Sequence, residues 1–487
     1  MRVVKLIVVL VISGIWLNGC GNGNGLTIGE PLENEVNEFV WSAMNVFYYW
    51  QADVPNLSDS KNDFSLNSFL NSYSTPESLF DDLLYEDDRF SWIVNDYEEL
   101  EASFQGVSKS FGYDLGLVRI SSESDDLMAY IKYVVPGGPA EDAGLKRGDI
   151  FTQVNGAQLT VDNYISTLFQ STSYTLTLAT IQDNTISQTD QEVSLTAEEL
   201  SENPILLSEV LEVDGVKVGY LMYNQFINNN AYHEELNNAI GSFNSAGISD
   251  IVLDLRYNGG GSLLTSRILA SMLYGNASSN DVLGSIIYNN KLAEFNNDLS
   301  FLTSVPVFDS GGEQTSSLQM NRLNLNRIFI LTSGSSASAS EFIIAGLQPY
   351  MDVTLIGTTT VGKNVGSVTL YDSDDYLKSG ALNPNHKYAI QPIISQLANS
   401  VGFTDYIDGF DPDIEVNEVD YLEDLKPLGD PSEPLLAEAL GVITGVARIE
   451  RPRDSGMEVI RIAPKQTETI LLDDENVPKF INSLMLD

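Results

Sequence analysis

The stretch from Arg327 to Ser367 constrains the fold of this 487-residue chain more than any other. Ile328 to Leu331 is a short apolar run with the length and β-branched content of a buried strand. The residues that follow, Ser333-Gly-Ser-Ser-Ala-Ser-Ala-Ser-Glu341, are too small and polar to prolong it, so the chain must turn. From Ala337 onward the apolar positions become Phe342, Ile343, Ile344 and Leu347, the stripe of a helix, with serines where an N-cap belongs. A hydroxyl is therefore predicted just past a strand end and at a helix start. Unsatisfied amides and the positive end of the helix dipole stabilise negative charge there, which suits a nucleophile. The same residues have a simpler reading, because Ser338-Ala-Ser-Glu341 fits a capping box. Downstream lies Lys363, in Thr360-Val-Gly-Lys363-Asn-Val-Gly-Ser367, among apolar and glycine neighbours. Burial would lower its pKa and let it act as a neutral base for a serine hydroxyl. A solvated turn charge is the commoner state of a glycine-flanked lysine.

Gly334 to Glu341, followed by Gly362-Lys363 with the lysine 25 positions after Ser338, resembles the Ser-Lys site of the carboxyl-terminal processing (tail-specific) serine proteases. Asp254-Leu-Arg-Tyr-Asn-Gly-Gly-Gly261 and a PDZ-like segment before it extend the resemblance over roughly Asn34 to Gly445. The resemblance implies that Ser338 is the nucleophile and Lys363 its base. It also implies an oxyanion hole from the amide of Ala339 with one from Gly260 or Gly261. The family often has a glutamine four residues after the lysine, where this chain has Ser367, a shorter candidate for orienting Lys363. The implied fold is α+β and multidomain. A layered α/β protease core of the crotonase and caseinolytic-protease kind carries an inserted or preceding PDZ-like β-domain and an N-terminal helical unit.

With 68 acidic against 25 basic residues the formal charge is −43, which argues against binding phosphate backbones or anionic lipid surfaces. Nucleic acid is not an expected partner. Residues 1–19 read as a signal peptide: Arg2 and Lys5 precede the apolar run Leu6 to Leu17, which is too short to span a bilayer. Leu17-Asn-Gly-Cys20 then resembles a bacterial lipoprotein cleavage box, and residues 20–32 form a lipidated cysteine with a glycine-rich tether. Cys20 is the only cysteine, so no intrachain disulfide can form. The expected location is the cell envelope, lipid-anchored, on the periplasmic or outer-membrane side.

Residues 33–105 form an aromatic, acidic helical unit. Val36, Phe39, Val40, Met44 and Phe47 recur at helical spacing, and Pro76 to Tyr85 reads as a second helix. Tyr48, Tyr49, Trp50, Phe90 and Trp92 are expected in its core, with a substrate groove as the other reading. Residues 106–196 resemble a PDZ domain through Pro139-Ala…Gly144-Leu…Gly148-Asp…Val154-Asn-Gly156. Its strands are predicted at Leu115–Ile120, Met128–Val134 and Tyr174–Ile181. In such domains a peptide adds as an extra strand with its carboxylate held by loop amides. The candidate loop holds Gly112, Tyr113, Asp114, Leu115 and Gly116. Residues 205–445 alternate strands and helices into the layered protease core, with Tyr388–Ile390 as its last strand. Residues 446–487 carry no assignable motif.

Two histidines exist. His233, beside Glu234 and Glu235, is placed on a solvated helix face, while His386 is the competitor to Lys363 as a base. With no HExxH and no third clustered ligand, neither metal nor cofactor is expected. The reading is a serine endopeptidase acting on protein or peptide substrates near exposed C-termini. The alternative is a non-catalytic peptide- or ligand-binding lipoprotein on the same fold, against which the intact Ser338, Lys363 and glycine run stand.

Overall fold

Six strands form the central sheet, in the order Ile205–Val213, Val216–Tyr223, Asp250–Asp254, Arg327–Thr332, Asp352–Gly357 and Ile414–Glu415. The structure, a computed structural model, describes residues 32–61, 65–121, 123–182, 185–309, 311–446, 456–460 and 470–472. The first strand pair is antiparallel and the rest are parallel. Parallel neighbours need a crossover, which helices Asn230–Ala246 and Ala339–Leu347 supply. Alternation along the strands separates two cores. Leu221, Leu253 and Ile330 face the helices Asn230–Ala246, Leu263–Leu273 and Ala339–Leu347. Tyr220, Val252 and Phe329 face the helix Pro434–Thr444 on the other side.

Helix Ala339–Leu347 is buried along its whole length. A helix apolar on every side needs cover on every side. The second cover is another six-stranded sheet, which includes Val282–Tyr288, Val365–Ser367 and Ile393–Asn399. Gly284 lies so close to this helix that a Cβ there would stand 2.7 Å from the Phe342 ring, and Asn399 donates to the Ala345 carbonyl. This sheet also contains Ile470–Leu471, running parallel between Gly261–Ser262 and Gly366–Ser367. The N-terminal helix Leu32–Phe47 packs into the same hydrophobic core as the layered sheet, so the helical unit is continuous with the protease core.

The PDZ-like sheet runs Val459–Ile460, Tyr113–Arg119, Leu127–Val134, Ile150–Val154, Ser173–Gln182, Thr185–Thr196. A buried charge cluster joins it to the core. Arg147 donates to Glu418 at 2.7 Å, and Arg256 contacts Asp254, Glu418 and Glu433. Burial pushes Glu418 up, but Arg147 and Arg256 outweigh it and hold the carboxyl at about 2.

Three expectations change. The second helix ends at Asp82, short of Tyr85. Ala389–Gln391 does not extend the parallel series; it pairs with Trp92–Val94 in a separate three-stranded sheet, and Ile414–Glu415 takes the edge beside Asp352–Gly357. His233 is buried, not solvated, with Nε2 2.8 Å from the Thr265 hydroxyl. Its flanking glutamates misled, because adjacent helix positions face different directions.

Burial pushes the His233 pKa from 6.5 down to about 4. The unfolded chain therefore takes up this proton at a higher pH than the folded one, and stability falls as pH drops through that window. The loss from this group should reach on the order of 3 kcal/mol. Denaturant midpoints at pH 7 and pH 4.5 should differ less in His233→Gln than in the parent. An unchanged difference would remove His233 as the cause.

Candidate active site

The strands Asp250–Asp254 and Arg327–Thr332 are parallel neighbours, so the loops leaving their carboxyl ends meet. One loop carries Asn258 to Gly261 and the other Ser333 to Ser338. The second loop and the first turn of the helix that follows it are laced to the first loop by serines. Ser333 Oγ donates to the Arg256 carbonyl, Ser336 Oγ to the Leu255 carbonyl at 2.8 Å, and Ser340 Oγ to the Asn258 carbonyl at 2.9 Å. Ser338 differs from these: it stands with Glu341 in a capping-box arrangement, yet its buried Oγ makes no hydrogen bond of ordinary geometry. Its backbone sits at φ 62°, a region that β-carbon-bearing residues avoid. Ser338 caps helix Ala339–Leu347, so the Ala339 amide is among those that helix geometry leaves without an intrahelical acceptor.

Glu341, fully buried, ties the site together. Its Oε2 accepts the backbone N–H groups of Ser338 and Lys363, each at 2.8 Å. Its Oε1 accepts the Gly362 amide at 2.7 Å and the Thr360 hydroxyl at 2.5 Å. Two amide nitrogens bound to one oxygen cannot be farther apart than twice that bond, so the backbones of Ser338 and Lys363 are neighbours. Burial raises the Glu341 pKa, and the four donors work against that rise. Gly362 is at φ 84°, and a Cβ there would lie 2.0 Å from the Ile407 carbonyl oxygen, so only glycine fits beside Lys363.

Lys363 is buried, its amine 4.6 Å from the Phe90 ring centroid and 5.9 Å from that of Trp92. These two aromatics line the lysine pocket instead of lying only in the core of the helical unit. No hydrogen bond joins Ser338 Oγ to Lys363, since Ser338 Oγ makes none. Ser367 is buried and accepts a hydrogen bond from Gln391 Nε2 at 3.1 Å, while Thr369 donates to Gln391 Oε1 at 2.6 Å. A glutamine carboxamide thus stands behind Ser367, contributed by a different strand.

Gly260 is pressed against the nucleophile loop, where a Cβ would stand 2.8 Å from Ser338 Cβ and 3.2 Å from the Ala339 nitrogen. Its own amide donates to Asn258 Oδ1 at 2.9 Å. What Gly260 contributes is close approach, while Gly261 is a strand residue bridged to Phe226 on one side and paired with Ile470 on the other. His386 does not reach Ser338: Nε2 pairs with Asp372 at 2.9 Å and Nδ1 accepts the Tyr388 amide at 3.1 Å. The loop reading of Gly112 to Gly116 is corrected: Tyr113, Asp114, Leu115 and Gly116 lie within strand Tyr113–Arg119, only Gly112 precedes it, and the Gly112 amide is already engaged by Ser110 Oγ at 3.0 Å. Cys20 and the signal segment lie outside the described residues. No helix among the described residues is long and apolar enough to cross a membrane.

Sequence reasoning saw Glu341 only as a cap and gave Gln391 no role. A glutamate three residues after the serine was the available signal for the first. Nothing local marks the second, which depends on strand pairing.

A helical N-terminal region, a PDZ-like sheet and a layered core with a serine at a strand-to-helix turn define the architecture of a PDZ-containing serine protease. Residues 217–416 match the model of peptidase family S41, residues 35–92 that of the peptidase S41 N-terminal domain, and residues 130–182 a PDZ domain. A solved structure from Bacteroides fragilis that carries an S41 protease designation is 30% identical, covers 84% of this chain and 97% of its own, and superposes with a TM-score of 0.65. The chain belongs to peptidase family S41. A curated Staphylococcus aureus relative, "Probable CtpA-like serine protease", is 24% identical over 366 residues, which are 74% of this chain and 62% of that protein. A Synechocystis "Carboxyl-terminal-processing protease" is 26% identical over 273 residues, 55% of this chain and 56% of the relative. The chain thus spans less than two thirds of the length of these curated relatives.

Proposed function

We propose that the chain is a serine endopeptidase that cleaves protein substrates near exposed C-termini by a Ser338–Lys363 mechanism. The neutral Lys363 amine takes the Ser338 hydroxyl proton as Oγ attacks the scissile carbonyl. The resulting oxyanion faces the Ala339 amide, with a glycine amide of the Gly260–Gly261 pair as the second donor. Collapse expels the amine product, which takes the proton back from Lys363. A water molecule, deprotonated by the same lysine, then releases the acyl group. Burial disfavours the ammonium form of Lys363, whereas the Phe90 and Trp92 faces favour it; the mechanism requires that burial prevail. Ser367, backed by Gln391, is the orienting candidate.

One observation carries this reading: Ser338 alone in its loop holds a buried, unpartnered hydroxyl, on the carboxylate-anchored scaffold that also holds Lys363. A fluorophosphonate probe should add one label per chain, on the peptide containing Ser338. A protein that takes no label and also fails to cleave unfolded casein would sink the reading and favour the binding lipoprotein. The lipid anchor at Cys20 and the envelope location belong to the same proposal and rest on the sequence from Arg2 to Cys20. Cys20→Ala should leave the membrane fraction, and unchanged association would refute the anchor.

A further inference from the structure

The PDZ-like edge has an occupant. Val459 and Ile460 pair antiparallel with Val118 and Leu117 of strand Tyr113–Arg119. The Arg119 amide donates to the Glu458 carbonyl at 2.8 Å, and the Arg119 guanidinium meets the Glu458 carboxylate at 3.2 Å. Ile460 packs against the core that holds Leu115, Leu117 and Leu168, and Met457 against that of Val118 and Met128. The segment runs toward Gly112 at the start of that strand, the direction in which a peptide carboxylate approaches the loop before such a strand. It also lines a cavity of about 290 Å³ that reaches from Leu115 and Phe169 to Ser335 and Val361, on the loops leading to Ser338 and Lys363. A second stretch, Ile470–Leu472, pairs beside Gly261 and Ser367, with the Leu472 amide donating to the Ser367 carbonyl at 3.0 Å. The C-terminal portion of the chain is thus held both at the recognition edge and beside the candidate site.

We propose that Glu458–Ile460 is a tethered ligand of the PDZ-like edge, and that extended peptides presenting an acidic residue followed by aliphatic ones compete with it. Arg119 selects the acidic position, and the Leu115–Leu117 face selects the aliphatic one. Among the described residues the contact consists of two ladder pairs and an ion pair whose Glu458 side chain is 58% exposed, which contributes little by itself. Belonging to the same chain gives it a local concentration on the order of millimolar, enough to hold the groove yet yield to a better ligand. The consequence for proteolysis rests on the serine-protease reading; the binding does not.

The test uses full-length protein carrying Ser338→Ala, so that binding is read without cleavage. The probe is a fluorescein-labelled peptide with the sequence of residues 456–465, followed by anisotropy. Adding Glu458→Arg and Ile460→Asp should tighten probe binding by about tenfold. Glu458→Arg alone, an exposed change with little effect on folding, should tighten it severalfold, and Arg119→Glu should abolish it. Equal affinity in parent and tail variants, or no binding to any of them, overturns the proposal. These outcomes are independent of whether Ser338 takes a fluorophosphonate. With Ser338 restored, the tail variants should cleave casein severalfold faster.

Discussion

Replacing Ser338 by alanine should lower kcat/KM for unfolded casein by about 10⁴-fold or more, the scale expected when a nucleophile that acts as a unit with its base is lost. Lys363→Ala should be comparably damaging. His386→Ala should retain most activity, because both ring nitrogens are engaged by Asp372 and the Tyr388 amide. The reverse pattern would point to a histidine base. Stability should move the other way from activity. Ser338 Oγ is buried without a partner, a state that costs about 1–3 kcal/mol in desolvation. Alanine keeps the same backbone demand at φ 62° and removes the orphaned hydroxyl. The Ser338→Ala protein should therefore be as stable as the parent or more so, by up to about 3 kcal/mol in denaturant unfolding. An inactive variant that is also destabilised would mean that the hydroxyl is a structural cap, as the simpler reading of Ser338-Ala-Ser-Glu341 holds.

The layered core was legible because its signals are local. Ile328 to Leu331 reads as a strand from its own composition, and Phe342 to Leu347 as a helix from its own period; the structure has Arg327–Thr332 and Ala339–Leu347. His233 and Tyr388–Ile390 were misplaced because their surroundings are set by distant partners, Thr265 in one case and Trp92–Val94 in the other. The aromatic residues Phe90 and Trp92 looked like core by spacing. Only the pairing of Trp92 with Gln391 brings them beside Lys363. The strands at Val459–Ile460 and Ile470–Leu471 are two residues each, too short for any period to mark. Val459, Ile460 and Ile462 were the one available sign, a β-branched cluster in a segment otherwise without pattern.

Glu341→Gln should separate positioning from chemistry. A carboxylate offers only acceptors, and here four donors use them: the amides of Ser338, Gly362 and Lys363, and the Thr360 hydroxyl. A glutamine has nearly the same shape, but its NH₂ group meets two amides if turned one way, and if turned the other way it meets the Gly362 amide beside a Thr360 hydroxyl that can rotate to accept. At least one buried amide is left without an acceptor, so a loss of about 1–3 kcal/mol in unfolding free energy is expected. Activity should fall by about 10²–10³-fold, since small misplacements of a nucleophile and its base are enough for such losses. A merely structural role would lower the melting temperature and leave the folded enzyme competent. The deciding measurement is the rate of fluorophosphonate labelling at Ser338 well below the variant's melting temperature, alongside kcat and KM. Labelling should slow in parallel with kcat while KM changes little. Parental labelling by a folded but less stable Glu341→Gln protein would show that Ser338 and Lys363 hold their places without this carboxylate.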